Sequence, residues 1–173
     1  VAALPPAMVT PSDDPGRRDL AATANRARGL VAHGSDGLVI AGTTGESPTI
    51  TVDEQIQLFG AVRAAVDCPV IAGAGSNDTA AASAMHRAAS EAGVDAILSV
   101  TPYYNRPSQD GLYEHFKAAA GHTDLPVMLY DIPVRTGRKI ETSTLLRLFD
   151  DVPNIVAVKD AAGNPAETAR LIA

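Results

Sequence analysis

A chain of 173 residues with a formal net charge of -6 and a pI near 5.1 lacks the basic stripe that a nucleic-acid surface needs. No apolar run approaches the roughly 20 residues of a membrane-spanning helix, and no basic segment precedes an apolar core at the N-terminus, so neither an anchor nor a secretory leader is expected. The single cysteine, Cys68, forms no internal disulfide, which suits the cytosol, and beside Pro69 it reads as a small buried hydrophobe. The length fits one domain.

Along the chain, short apolar runs alternate with amphipathic stretches. The first predicted strand, residues 7–10, runs into Thr10-Pro11-Ser12-Asp13-Asp14 and a helical pattern near residues 19–32. A second strand at 37–41 leads through Thr43-Thr44-Gly45-Glu46-Ser47 to a helix near 52–66. That helix opens on a capping box, in which Thr51 and Glu54 can each satisfy a free backbone N–H. A third strand at 69–73 is followed by Gly73-Ala74-Gly75-Ser76-Asn77, a partial match to a phosphate-binding loop that also fits an ordinary strand-to-helix turn. A helix near 79–92 stops at Gly93; a fourth strand at 96–100 precedes Tyr103-Tyr104-Asn105-Arg106-Pro107 and a helix near 111–120 that stops at Gly121. The fifth strand, 127–131, carries Tyr130 and precedes Arg135-Thr136-Gly137; a helix near 142–149 and a sixth strand at 155–159 follow.

Six βα units imply a parallel sheet. Two architectures remain open at this point: a doubly wound sheet with a topological switch point, or most of a (β/α)8 barrel, which typically needs about 250 residues. The first strand lacks the glycine-rich turn of a nucleotide-binding doubly wound fold. The polar clusters, by contrast, nearly all follow strands, and in a barrel those strand ends converge on one face.

Lys159 closes the last apolar run, Asn154-Ile155-Val156-Ala157-Val158-Lys159. It is one of three lysines; Lys117 and Lys139 sit in polar, solvent-like contexts, whereas Lys159 ends a strand that reads as buried. A lysine taken out of water gives up its proton more readily, and the neutral amine attacks carbonyl carbon. A lysine that merely ends a strand and snorkels to water would carry the same local sequence. Tyr130 at a strand end has the chemistry to relay protons; Arg135 offers a planar fork for a carboxylate; Gly42-Thr43-Thr44-Gly45 pairs two hydroxyls with backbone N–H groups suited to a small anion. His33, His86, His115 and His122 lie within or just after helices with no shared metal spacing and are read as structural.

Gly42-Thr43-Thr44-Gly45-Glu46-Ser47, Thr101-Pro102-Tyr103-Tyr104-Asn105-Arg106-Pro107, Tyr130-Asp131-Ile132-Pro133-Val134-Arg135-Thr136-Gly137 and Val158-Lys159-Asp160 occur in this order and spacing. Together they resemble the 4-hydroxy-tetrahydrodipicolinate synthase (dihydrodipicolinate synthase) family, class I pyruvate-dependent aldolases on a TIM barrel. The resemblance runs from about Pro6 to the end of the chain. It implies a carbon–carbon lyase of lysine (diaminopimelate) biosynthesis in the cytoplasm, with pyruvate and L-aspartate 4-semialdehyde as substrates. Lys159 would form the Schiff base with pyruvate, Thr44 would hold its carboxylate, and Tyr130 would be the general acid/base. Thr43 would link Tyr130 to Tyr104, which in the family reaches in from a neighbouring subunit of a homo-oligomer, usually a tetramer. Arg135 would bind the carboxylate of the semialdehyde. No metal or diffusible cofactor is implied, because the imine is itself the electron sink.

Relatives on the same scaffold, N-acetylneuraminate lyase and 2-keto-3-deoxy-sugar-acid aldolases, use other aldehydes, and a catalytically silent keto-acid-binding barrel is a third alternative. Thr44 and Arg135 favour a short, carboxylate-bearing aldehyde. Asp131 stands where the family more often has asparagine, and Val134 where it has a small or polar residue. Val52, Gln55 and Ala81 stand where feedback-sensitive members place allosteric side chains, so weak or absent inhibition by lysine is expected. The family carries two further βα units and a C-terminal helical region. The chain is therefore read as a single incomplete barrel domain over residues 1–173, inactive alone, whose sixth strand leaves an apolar edge unpaired.

Overall fold

A computed structural model describes residues 5–13 and 16–172. Asp14, in the loop after the first predicted strand, and the last residue, Ala173, lie outside the described residues. Five strands alternate with helices: α1 (Leu20–Ala32), β1 (Leu38–Ile40), α2 (Val52–Arg63), β2 (Val70–Gly73), α3 (Thr79–Glu91), β3 (Ala96–Val100), α4 (Gln109–Ala120), β4 (Val127–Asp131), α5 (Pro133–Thr136), α6 (Thr142–Asp151), β5 (Ile155–Asp160) and α7 (Pro165–Ile172). Two short 3-10 turns, Thr43–Gly45 and Ser47–Thr49, lie between β1 and α2.

The strands are hydrogen-bonded in the order β1-β2-β3-β4-β5. The order never reverses, so these strands contain no topological switch point, which removes the doubly wound alternative. The first predicted strand is reduced to a single parallel bridge between Ala7 and Val39. Its physical reason is local: Met8 donates to Val39 O and Val39 to Pro6 O, while Pro5, Pro6 and Pro11 have no N–H to extend the ladder.

The described residues group into two compact units, the first formed by 5–13, 16–74 and 88–97, the second by 75–87 and 98–172. In the first, β1 and β2 pair in parallel, Leu38 opposite Val70 and Ile40 opposite Ala72. Leu38, Ile40, Phe59, Val62 and Val70 are fully buried there, and each such side chain contributes about 1.5–3 kcal/mol. The Thr51–Glu54 capping box opens α2: Glu54 N–H donates to Thr51 Oγ1 and Thr51 N–H to the Glu54 carboxylate. In the second unit, Leu112, Phe116, Leu129, Ile140 and Leu148 form the core, and β4 pairs in parallel with β5.

Most boundaries fall within three residues of those expected. Ser108 starts α4 two residues early by accepting from Gly111 N–H. Gly93 adopts the left-handed backbone of a helix stop, φ +78°, but Gly121 ends α4 at φ -66°, where any residue would fit. The glycines of the Gly73-Ala74-Gly75 segment serve packing. A Cβ on Gly73 would lie 2.4 Å from Ala41 O, and one on Gly75 would lie 2.4 Å from Val100 N.

Candidate active site

The second unit brings Tyr130 and Lys159 together. They are register partners on adjoining strands, and Lys159 Nζ stands 4.2 Å from the centroid of the Tyr130 ring. A one-residue irregularity creates this match. Val127 pairs with Ile155 but Met128 pairs with Ala157, so Val156 is bulged out and every later residue of β5 moves up by one. Without the bulge Val158 would face Tyr130, and Lys159 would lie on the other side of the strand. The bulged Val156 is 59% exposed.

Tyr130 is buried, and its backbone is held twice: its carbonyl accepts from Thr101 N–H and from Thr101 Oγ1, both at 3.0 Å. Lys159 does not match its expected surroundings. β5 extends to Asp160, is the last strand of the sheet order, and buries only Ile155 fully; Lys159 itself is half-buried. The strand that reads as buried from its apolar sequence is an edge strand among the described residues, so Lys159 keeps contact with water.

Two loops of the same unit carry Tyr104 and Arg135. Tyr104 is 90% exposed and holds a left-handed backbone, φ +74°, as does Arg106 at +47°; each such non-glycine residue costs of order 1 kcal/mol. The loop is fixed by Asn105 Nδ2 donating to Asn77 O and by Arg106 Nε donating to Gly137 O. Gly137, at φ +72°, ends α5, on which Arg135 stands exposed. Arg106 thus ties the Tyr104 loop to the Arg135 loop, a function the sequence motif alone does not disclose.

In the first unit, Thr43 and Thr44 open a 3-10 turn immediately after β1, and both are exposed. Thr10 Oγ1 donates to Gly45 O at 2.9 Å, which pins the far end of that turn. The leading N–H groups of such a turn have no partner within it.

Lys139 departs most from its expected setting. Its ammonium is not in solvent-like surroundings: it lies 3.1 Å from Glu167 Oε2, 3.6 Å from Asp131 Oδ2 and 3.3 Å from Ile140 O. Asp131, 1% exposed, accepts from Ile140 N–H through Oδ1. Burial pushes the Asp131 carboxyl above its usual range, opposed by the Ile140 N–H and the Lys139 charge. For Lys139, burial acts to lower the ammonium, but the Glu167 hydrogen bond and the Asp131 charge outweigh it and the net shift is upward. Asp160 is held below its usual range by the Thr168 hydroxyl and the Ala162 N–H.

Elsewhere, Cys68 is half-buried rather than buried, and that burial raises its thiol. His86 and His115 are buried on α3 and α4, whereas His33 and His122 are exposed. Among the described residues, no helix is long and apolar enough to cross a membrane.

The fold is that of an α/β protein in which Tyr130 and Lys159 stand side by side at the C-terminal ends of two neighbouring parallel strands. Its sequence matches the Dihydrodipicolinate synthetase family over residues 1–173. It is 55% identical over 160 residues to the 4-hydroxy-tetrahydrodipicolinate synthase of Moorella thermoacetica, covering 91% of this chain and 54% of that protein. The corresponding Bacillus subtilis protein is 48% identical over 169 residues, covering 96% and 58%. Among solved structures, dihydrodipicolinate synthase from Bacillus anthracis superposes with a TM-score of 0.95 at 46% identity, over 98% of this chain and 59% of that one. The lysine-bound enzyme from Cyanidioschyzon merolae gives 0.96 at 43% identity, over 98% and 59%. The chain belongs to the dihydrodipicolinate synthetase family. It spans about half the length of the curated relatives it matches.

Proposed function

We propose that this chain carries the reacting lysine of an enzyme that condenses pyruvate with L-aspartate 4-semialdehyde to 4-hydroxy-tetrahydrodipicolinate, in lysine biosynthesis in the cytoplasm. The observation that carries the reading is the register match of Tyr130 and Lys159, with the amine 4.2 Å from the ring centroid. The Lys159 amine adds to the keto carbon of pyruvate, and the carbinolamine loses water to give the imine. Loss of a methyl proton gives the enamine, whose carbon attacks the aldehyde. The substrate's own amine then adds to the imine carbon, closes the ring and expels Lys159.

Tyr130 acts as general acid and base at the carbinol oxygen and imine nitrogen. Thr44 holds the pyruvate carboxylate and Thr43 links Tyr130 to Tyr104. Arg135 takes the carboxylate of the semialdehyde through its guanidinium fork. The positive charge of the protonated imine serves as the electron sink, so the chemistry requires no metal. The exposure of Tyr104 supports its insertion into a neighbouring subunit of a homotetramer. Its left-handed backbone, held by the Asn105 and Arg106 bonds, supplies the fixed projection such an insertion needs.

In a full (β/α)8 barrel a further strand would pair with the edge of β5 that is unpaired among the described residues and would cover Lys159 further. Activity assays therefore use this chain continued by the C-terminal portion of the Bacillus subtilis relative. The test compares turnover of aspartate semialdehyde with that of sugar aldehydes after pyruvate is bound. Preference for the semialdehyde is expected; equal turnover of a sugar acid sinks the assignment.

A further inference from the structure

We infer that Lys139 is a positioning residue: by neutralising the buried Asp131 carboxylate it keeps closed the Asp131–Ile140 staple that fixes the Arg135-bearing loop beside the Tyr130 strand end. The part of this inference that concerns Arg135 rests on the proposed function; the staple itself does not.

The loop begins and ends on one hydrogen bond. Asp131, the residue after Tyr130, accepts from Ile140 N–H at 3.1 Å, so the segment between them, including α5 and Arg135, is closed at its base. Thr136 Oγ1 ties the interior by donating to Ile132 O and Arg138 O. Among the described residues, the other oxygen of Asp131 is buried with no hydrogen-bond partner, and its one ion-pair partner is Lys139 Nζ at 3.6 Å. A buried carboxylate stays charged only when such a partner is present.

The same ammonium reaches α7 through Glu167 at 3.1 Å, and α7 returns to the strand ends when Thr168 Oγ1 donates to Asp160. Asp160 is the register partner of Asp131, next to the Tyr130–Lys159 pair. Burial acts most strongly on the Asp131 carboxyl, and the groups that act on it are the Ile140 N–H, Lys139 and Asp160, with Glu167 acting through Lys139. Two carboxylates, Asp131 and Glu167, share this ammonium at ion-pair distance, and the Asp160 charge also acts on Asp131, so removal of the ammonium leaves like charges uncompensated and raises Asp131's affinity for a proton.

The test uses the full chain and three variants: Lys139→Met, Asp131→Asn, and both together. Hydrogen exchange at the Ile140 amide, expressed as protection relative to the free peptide rate, reads the staple, and the thermal midpoint reads the fold. In Lys139→Met, Ile140 protection is expected to fall about ten-fold at pH 8 and to recover toward pH 5 as Asp131 takes up a proton. Asp131→Asn keeps an acceptor for Ile140 without a charge, so adding it to Lys139→Met should restore protection to within about three-fold at both pH values. If Lys139→Met does not fold at pH 8, folding of the double variant there supports the same conclusion. Loss of only the lysine stem's packing would lower stability equally at both pH values and would not be rescued. Either result, pH-independent loss or failed rescue, overturns the inference. Failure of pyruvate to react at Lys159, with this pattern intact, counts against the proposed reaction alone.

Discussion

Replacing Tyr130 by phenylalanine separates the chemistry of the phenol from everything else that residue does. The Tyr130 carbonyl is fixed by two bonds from Thr101, and the substitution touches neither. The ring stays buried and still faces the lysine amine, 4.2 Å from its centroid in the unsubstituted protein. What disappears is one hydroxyl. Stability should therefore change by less than about 1 kcal/mol, the net value of a single hydrogen bond. On the proposed reading the reaction loses its proton relay, and positioned acid/base catalysis contributes about 10^2–10^4-fold, or about 2.7–5.4 kcal/mol of barrier. The assay is the initial rate of condensation, with the thermal midpoint measured on the same preparation. A rate within three-fold of the unsubstituted enzyme refutes the role of the phenol, and a large drop in midpoint refutes the claim that the ring alone carries its packing.

His86 is fully buried, with Nε2 3.2 Å from Ser99 Oγ, and burial lowers it from 6.5 to about 4. Because the folded value lies below the unfolded one, its contribution is intact above the unfolded value and is lost as pH falls toward about 4, by up to about 3 kcal/mol. Thermal midpoints measured across that range should fall with pH, and His86→Gln should remove most of the slope; an unchanged slope assigns the acid sensitivity elsewhere. Gly75→Ala places a methyl group 2.4 Å from Val100 N, a backbone atom that cannot swing aside. It should cost more than about 2 kcal/mol in denaturant unfolding, as overpacking does, and a neutral result would show that β3 yields at that point. Thr101→Val removes the hydroxyl bond but leaves the Thr101 N–H on the Tyr130 carbonyl. A stability loss of about 1 kcal/mol is expected, with catalysis falling far less than in Tyr130→Phe.

The alternation of strands and helices was legible because each element carries its own local signals: the Thr51–Glu54 box, the Gly93 stop and the apolar runs of β2, β3 and β4, whereas the Ser108 cap that starts α4 earlier emerges only in the structure. Apolar periodicity over-extends the first strand, because the two prolines at its head, Pro5 and Pro6, remove donors. The reactive pair was partly legible. Tyr130 and Lys159 stand out by residue type at strand ends, but the bulge at Val156 that aligns them depends on pairing between distant segments. Nor does an apolar strand announce whether both its edges are occupied, which is why Lys159 is more exposed than its sequence suggests. Lys139 reads as solvated because Arg138 and Glu141 around it are polar; its partners Asp131 and Glu167 lie 8 and 28 positions away in the sequence. An aspartate at the end of the apolar β4 strand was the available clue that a buried charge needed a cation.

The most direct test of the central claim is borohydride trapping with pyruvate in the completed protein, followed by peptide mapping. A single reduced pyruvate adduct on Lys159, absent from Lys159→Arg and slowed in Tyr130→Phe, is the expected result. No adduct, or an adduct on Lys117 or Lys139 instead, contradicts the assignment of Lys159 as the nucleophile.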